Sequence, residues 1–151
     1  MPIQLTRTTS ADPHFTALVK QLDAYLAEMD GAEHSFYAQY NKVDLIKHVV
    51  VCYQNEEAIA CGAMKELSPS TMEVKRMYTS PAGRNKGIAT QILGELERWA
   101  QELGYEKCVL ETGKRQQEAV SLYQKCGYQL IPNYGQYIGV TNSVCFEKDL
   151  Q

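Results

Sequence analysis

RNKGIA, residues 84–89, decides the fold, because it lies between a strand pattern and the pattern of an amphipathic helix. Gly87 and Ala89 keep the turn free of bulky side chains, so an anion can approach the backbone N–H groups. The first turn of the following helix adds N–H groups without internal partners and the positive end of the helix dipole. A pyrophosphate suits such a site. A plain strand-to-helix turn with two exposed cations is the alternative that this stretch alone leaves open.

Other nucleotide-binding patterns fit this turn less well. Gly87 is not followed by the Lys-Ser or Lys-Thr of a P-loop, and the chain contains no GxGxxG. The sequence therefore favours a phosphate group held by backbone N–H groups at the start of a helix.

Helix and strand patterns alternate outward from this turn. Strands are predicted over 3–9, 48–54, 58–67, 72–79, 107–112, 128–132 and 143–148, and helices over 12–30, 33–44, 88–103 and 116–125. This order predicts one α/β domain over residues 1–151 with a mixed sheet.

Alternation along the strand over 72–79 divides its side chains between the two faces of the sheet. One face is predicted to hold Met72, Val74 and Arg76, and the other Glu73, Lys75, Met77 and Thr79.

Composition and cysteine spacing exclude several classes of protein. The 151 residues carry a formal net charge of -3, unlike the basic surface of a nucleic-acid-binding protein. The five cysteines show no zinc-binding spacing, and the three histidines suggest no metal site. No signal peptide is visible, and no apolar run approaches the ~20 residues of a membrane span. We therefore expect a cytoplasmic protein without a metal, a membrane or a nucleic acid as partner.

Two motifs resemble those of the Gcn5-related N-acetyltransferases (the GNAT family). Residues 84–89 match the family signature [Gln/Arg]-x-x-Gly-x-[Gly/Ala], in the same place between strand and helix. Residues 119–128, AVSLYQKCGY, resemble its second pattern, A-xxx-Y-xxx-G-[Phe/Tyr]. The resemblance covers Glu73 to the C-terminus closely and the first seventy residues only in element order.

The resemblance implies a mixed, mainly antiparallel sheet with splayed central strands, flanked by helices, and acetyl-CoA as co-substrate. The residues expected to bind the CoA pyrophosphate are Arg84, Asn85, Lys86, Gly87, Ile88, Ala89 and Thr90. The strand end at Met77, Tyr78 and Thr79 would pair with the pantetheine arm, and Tyr78 N–H, in a bulge, would contact the oxyanion. Gln116 stands where many relatives have an asparagine that contacts the pantetheine; its longer side chain puts that contact in doubt.

The resemblance also implies an acid and a base. Glu73 aligns with the glutamate that is the base in the histone-type branch of the family. Glu111 is a rival base, or a carboxylate that steers a cationic substrate, and Glu66 is a weaker third candidate. Tyr123 is placed as the acid that protonates the CoA thiolate, besides contacting the cofactor. The alternatives are a solvated glutamate at 73 and a core tyrosine at 123.

Substrate specificity in the family lies after the first helix and between the last two strands. Here those segments contain Tyr37, Tyr134 and Tyr137, which with Glu111 are the predicted substrate-binding residues. Tyrosine hydroxyls above an acidic floor would favour a small cationic amine. The same tyrosines could instead cover the core or a dimer interface.

These residues predict an N-acetyltransferase that transfers acetyl directly from acetyl-CoA to a small primary amine in a ternary complex. A protein or peptide amine as acceptor and a non-catalytic module that senses acyl-CoA are the alternatives. A homodimer is possible, because many members of the family form one.

Overall fold

The computed structural model describes residues 2–30 and 46–150 and, within them, seven strands and three α-helices. The strands are β1 (Ile3–Thr8), β2 (His48–Gln54), β3 (Glu57–Ser68), β4 (Thr71–Thr79), β5 (Lys107–Gly113), β6 (Gln129–Ile131) and β7 (Ser143–Asp149). The helices are α1 (Pro13–Asp30), α2 (Ile88–Glu102) and α3 (Gln117–Lys125), with 3-10 turns at Pro81–Gly83 and Gly135–Tyr137. The helix predicted over 33–44 lies outside the described residues.

The start of α1 follows from local side-chain chemistry. Asp12 Oδ1 accepts hydrogen bonds from the backbone N–H groups of His14 at 2.8 Å and Phe15 at 3.4 Å. These N–H groups have no partner inside the helix, and Pro13 needs none. The predicted helix start at Asp12-Pro13 is therefore confirmed.

One sheet contains all seven described strands, in the order β1-β2-β3-β4-β5-β7-β6. Only β4 and β5 are parallel neighbours, and they pair only at Thr71–Glu73 with Lys107–Val109. Beyond these pairs β4 continues to Thr79 beside β3, and β5 continues to Gly113 beside β7. The expected mixed, mainly antiparallel sheet with splayed central strands is confirmed.

The two faces of the sheet carry different helices. On one face α1 buries Phe15, Leu18 and Val19 against Val49 and Val51 of β2. On the other face α2 and α3 pack on a larger cluster that includes Met72, Val74, Ile92, Leu96, Tyr123 and Phe146. None of the described helices is long and apolar enough to cross a bilayer.

The strand alternation predicted for β4 is wrong from Arg76 onward, because the strand contains a bulge. Ala63 pairs with Lys75 but Cys61 with Tyr78, so β4 has one residue more than β3 between these pairs. Arg76 lies in this bulge and has a left-handed φ of 58°. Its side chain pairs with Asp23 of α1, whereas Met77 packs with the cluster on the α2 face.

Gly62 of β3 lies directly beneath this bulge. A Cβ atom at Gly62 would come within 2.5 Å of Met77 Sδ, 2.8 Å of Ile92 Cγ2 and 3.0 Å of Leu96 Cδ1. Ordinary contacts of this kind are 3.5 Å or longer. The absence of a side chain at Gly62 therefore allows Met77 and α2 to pack closely against β3.

We expect Gly62→Ala to lower the free energy of unfolding by about 1–3 kcal/mol, because the added methyl group overpacks the contact with Met77 and α2. Gly94→Ala is the matched control. Gly94 lies inside α2 with nothing within 4 Å of an added Cβ, so this change should stabilise the protein by about 0.5–1 kcal/mol. Urea unfolding measures both, and an unfolding midpoint for Gly62→Ala at or above that of the wild type would contradict the packing argument.

Candidate active site

A cavity of about 110 Å³ lies where β4 and β5 separate. Its walls come from both splayed strands, from α1, from the start and inner face of α3, and from the turn before β7. The lining residues are Leu22, Leu26, Glu73, Val74, Lys75, Arg76, Met77, Glu111, Thr112, Gly113, Gln116, Ala119, Tyr123 and Tyr137. The short β4–β5 pairing thus creates a small, partly open site in the middle of the sheet.

Two carboxylates lie in the cavity wall. Glu73 is buried, and its Oε2 accepts a 2.5 Å hydrogen bond from the Tyr134 hydroxyl. The other oxygen, Oε1, lies 3.7 Å from Lys75 Nζ. Glu111 Oε2 accepts a 2.8 Å hydrogen bond from Ser143 Oγ. Both carboxylates are therefore held in place by hydroxyl donors.

Tyr134 and Tyr137 bring phenol groups to these carboxylates. Their rings meet edge to face, with centroids 5.8 Å apart. Burial raises the pKa of Tyr137, and the negative charges of Glu111 and Glu73 raise it further. Burial and the bonded Glu73 raise the pKa of Tyr134 in the same way. Both phenols therefore keep their protons at neutral pH and act as hydrogen-bond donors.

Tyr123 reaches the same cavity from α3. It is only 7% exposed, and its ring packs 5.9 Å from the Tyr128 ring and 6.4 Å from that of Phe146. Burial raises the pKa of Tyr123, with smaller contributions from Cys126 and Glu111. The side chain is thus part of the core and of the cavity wall at once, and its phenol stays protonated.

The turn before α2 exposes the start of a helix. Gly87 is the N-cap residue with a left-handed φ of 72°, and a Cβ there would have nothing within 4 Å. Inside the helix, Gln91 N–H donates to Gly87 O at 3.3 Å. The N–H groups of Ile88, Ala89 and Thr90 precede this first bond and need outside acceptors. They form, with the dipole, a site for an anionic group.

Side chains of the same turn hold it against the sheet. Arg84 Nε donates to Thr79 O at 3.0 Å, and Lys86 Nζ donates to Gln54 Oε1 at 3.4 Å. Asn85 has a left-handed φ of 63°. These contacts place Arg84 beside the end of β4 and Lys86 beside the end of β2.

The segment between this turn and the cavity is the free edge of β4. Met77, Tyr78 and Thr79 lie beyond the pairs that β4 makes with β5. Across the gap, Gln116 N–H donates to Gly113 O at 3.0 Å, and Gln116 lines the cavity. An extended ligand could therefore lie along β4, from the turn at Gly87 to the cavity.

The structure brings seven of the predicted site residues together at the cavity, and those of residues 84–90 form the turn before α2. Glu73, Glu111, Tyr123, Tyr137, Met77 and Gln116 line the cavity, and Tyr134 contacts Glu73. Glu66 is bonded to the Tyr105 hydroxyl at 2.5 Å and is not among the cavity residues. Tyr37 lies outside the described residues.

Eight lining residues are missed by the sequence reasoning: Leu22, Leu26, Val74, Lys75, Arg76, Thr112, Gly113 and Ala119. Arg76 could have been detected, because strict alternation places its charge on the same buried face as Met72 and Val74. Such a conflict signals a bulge. The two leucines are ordinary core residues of an amphipathic helix, and no sequence signal separates them from the rest.

Cysteine and metal chemistry have little support at this site. Burial raises the pKa of the Cys61 and Cys108 thiols to about 12, so neither is a thiolate at neutral pH. In residues 2–30 and 46–150, no three His, Cys, Asp or Glu side chains form a group that could hold a metal ion.

Comparisons with known proteins all point to acetyltransferases. The model of the acetyltransferase (GNAT) family matches residues 15–128. The uncharacterised N-acetyltransferase YsnE of Bacillus subtilis is 36% identical over 100 residues, which are 65% of this chain and 66% of that protein.

Solved structures share the fold over nearly the whole chain. A candidate acyl-CoA N-acyltransferase from Klebsiella pneumoniae superimposes with a TM-score of 0.83 at 27% identity. The match covers 99% of this chain and 98% of the Klebsiella chain. The paiA N-acetyltransferase of Thermoplasma acidophilum, in complex with coenzyme A, has a TM-score of 0.70 at 18% identity and 99% coverage of both chains.

The fold and the cavity between splayed strands define the class of acetyl-CoA-dependent N-acetyltransferases. The chain belongs to the acetyltransferase (GNAT) family. The predicted family, enzyme class and acetyl-CoA co-substrate are thereby confirmed.

We expect Gly87→Glu to weaken acetyl-CoA binding at least tenfold, about 1.4 kcal/mol, because it places a carboxylate where the pyrophosphate would lie. Gly104→Glu is the control: Gly104 also has a left-handed φ and open space around a Cβ, but it lies past the other end of α2. Calorimetric titration measures both affinities. Equal weakening by the two changes would show that backbone strain, not the location of the charge, is the cause.

Proposed function

We propose that the protein acetylates the primary amine of a small molecule by direct attack on acetyl-CoA in a ternary complex. The observation that carries the proposal is the convergence of Glu73, Glu111 and Tyr123 on one small cavity between β4 and β5. A carboxylate and a phenol in one cavity supply both proton transfers that the reaction needs.

The donor would enter from the α2 side of the gap. Backbone N–H groups at residues 84–90 would bind the pyrophosphate, with Arg84, Asn85 and Lys86 contributing the turn and its positive charge. The pantetheine arm would pair with the free edge of β4 at Met77, Tyr78 and Thr79, opposite Gln116. Tyr78 N–H, next to the bulge, would donate to the oxyanion of the tetrahedral intermediate.

Glu73 would take the proton from the attacking amine. An amine of pKa ~10.4 costs roughly 4–5 kcal/mol to deprotonate at pH 7, so a base at the site is needed. The Tyr134 hydroxyl holds Oε2, and Oε1, which lies 3.7 Å from Lys75 Nζ, would accept the proton directly or through water. The amine nitrogen then forms its bond to the acetyl carbon, and the C–S bond of the thioester breaks.

Tyr123 would donate its proton to the departing CoA thiolate. Because burial keeps its phenol protonated, the donor form is the resting form. Tyr123 lines the cavity from the α3 side and Glu73 from the α1 side, so the acid and the base would flank the thioester.

The size and charge of the cavity favour a small acceptor. A volume of about 110 Å³ lies below the range of roughly 300–1,000 Å³ of drug-sized ligand pockets. Glu73 and Glu111 would attract an ammonium group, with Tyr134 and Tyr137 as hydrogen-bond donors around it.

Cytoplasmic location, the single domain over 1–151 and a homodimer stay predictions of the sequence.

The test is amine-dependent release of CoA thiol from acetyl-CoA. We expect Glu73→Gln to lower kcat about 100-fold at pH 7, because the base is lost. Glu111→Gln is the matched control and should change KM for cationic amines more than kcat. A larger kcat loss in Glu111→Gln would make Glu111 the base, and no amine-dependent release from any small amine would refute the proposed function.

We expect Tyr123→Phe to lower kcat about 100-fold while acetyl-CoA affinity stays within threefold, since only the hydroxyl is removed. The raised pKa of Tyr123 keeps its proton in place at high pH, so wild-type kcat should not fall between pH 8 and 10. Tyr128→Phe is the control, because Tyr128 packs beside Tyr123 but is not among the cavity residues described. Unchanged turnover in Tyr123→Phe would remove Tyr123 as the acid.

A further inference from the structure

Arg76 is a buried cation in the cavity wall that the proposed chemistry does not use. Its side chain is 2% exposed. Nη1 donates to Asp23 Oδ1 at 3.0 Å, whereas Nη2 is buried without a hydrogen-bond partner in the described part of the chain. A guanidinium carries five N–H donors, and a buried charge is costly unless it is paired and hydrogen-bonded. Arg76 is therefore incompletely satisfied by the residues that the structure describes.

The bond to Asp23 does not complete the site. The Asp23 side chain is 52% exposed on α1, so water screens its attraction to the guanidinium. It engages one terminal nitrogen and leaves the other for a second acceptor. A carboxylate is the natural second partner, because its two oxygens match the planar fork of the guanidinium.

The bulge in β4 brings Arg76 to the side of the cavity that also holds the base. The left-handed φ at Arg76 turns its side chain towards α1, on the face of the sheet where Glu73 meets Tyr134. The cavity wall thus carries two cations, Arg76 and the Glu73-paired Lys75, and two carboxylates, Glu73 and Glu111. A molecule with both an ammonium and a carboxylate group is complementary to this arrangement.

We propose that the acceptor carries a carboxylate in addition to its primary amine, as an amino acid does, and that Arg76 binds this carboxylate. Glu73 and Glu111 receive the ammonium end, and the amine is acetylated there. This inference rests on the proposed acetylation of a small amine and narrows its acceptor to a zwitterion. Arg76 acts as a specificity residue, because it binds the acceptor away from the reacting atoms.

The test compares each amino acid with the amine that remains when its carboxylate is removed. Suitable pairs are phenylalanine with phenethylamine, leucine with isopentylamine and lysine with cadaverine. The readout is the ratio of kcat/KM within a pair. For at least one pair we expect a ratio of ten or more in the wild type, a ratio near one in Arg76→Gln, and an intermediate ratio in Arg76→Lys, which keeps the charge but not the fork.

Two further variants separate recognition from structure. Arg98→Gln is the matched control on the exposed face of α2, where the side chain is 62% exposed, and should leave the ratio unchanged. Asp23→Asn removes the competing carboxylate and should keep or raise the ratio. Thermal unfolding and titration with acetyl-CoA verify that each variant is folded.

The outcomes distinguish this inference from the proposed function. Acetylation of simple amines with no preference for any carboxylate-bearing partner would overturn the role of Arg76 and leave the proposed function standing. A ratio that falls as far in Asp23→Asn as in Arg76→Gln would also overturn it, since the ion pair would then be structural. If neither the amino acids nor the corresponding amines are acetylated, both the role of Arg76 and the proposed function are overturned.

Discussion

The geometry of the site depends on the left-handed backbone conformation of one residue in the middle of β4, Arg76. A residue other than glycine is sterically strained in this conformation. Packing of the neighbouring side chains on both faces of the sheet offsets the strain. Met77 fills the space that Gly62 leaves open beneath α2, and Arg76 itself is held by Asp23. Because the bulge changes which side chains face each layer, it also decides which groups line the gap to β5.

The sequence predicts most of the elements because their signals are local. Asp12 and Pro13 fix the start of α1, and Gly87 fixes the start of α2. The periodicities between these points need no tertiary information, and the predicted strands and helices of the described residues agree with the structure to within one or two positions. The bulge at Arg76 shows in the sequence only as a charge on the apolar side of the alternation, and the pattern does not say how the strand accommodates it.

Sequence motifs predicted the residues that would bind the cofactor. The residues that would bind the acceptor were predicted only from their side-chain types. Tyr134 was expected near the substrate, but its hydrogen bond to Glu73 joins residues 61 positions apart. That contact exists because β7 lies beside β5 and the segment before it folds back over the splayed strands. Such pairing depends on strand order, which a single sequence does not specify.

The separation of β4 from β5 has a consequence for aggregation. Past Glu73, β4 has a free edge towards the gap, where none of the described strands pairs with its main-chain groups. Exposed edges of this kind invite pairing with strands of other molecules. Here residues of α1 and α3 line the opening on either side, so a strand that approaches this edge must pass between the two helices. The helices thus partly cover the edge that the ligand would use.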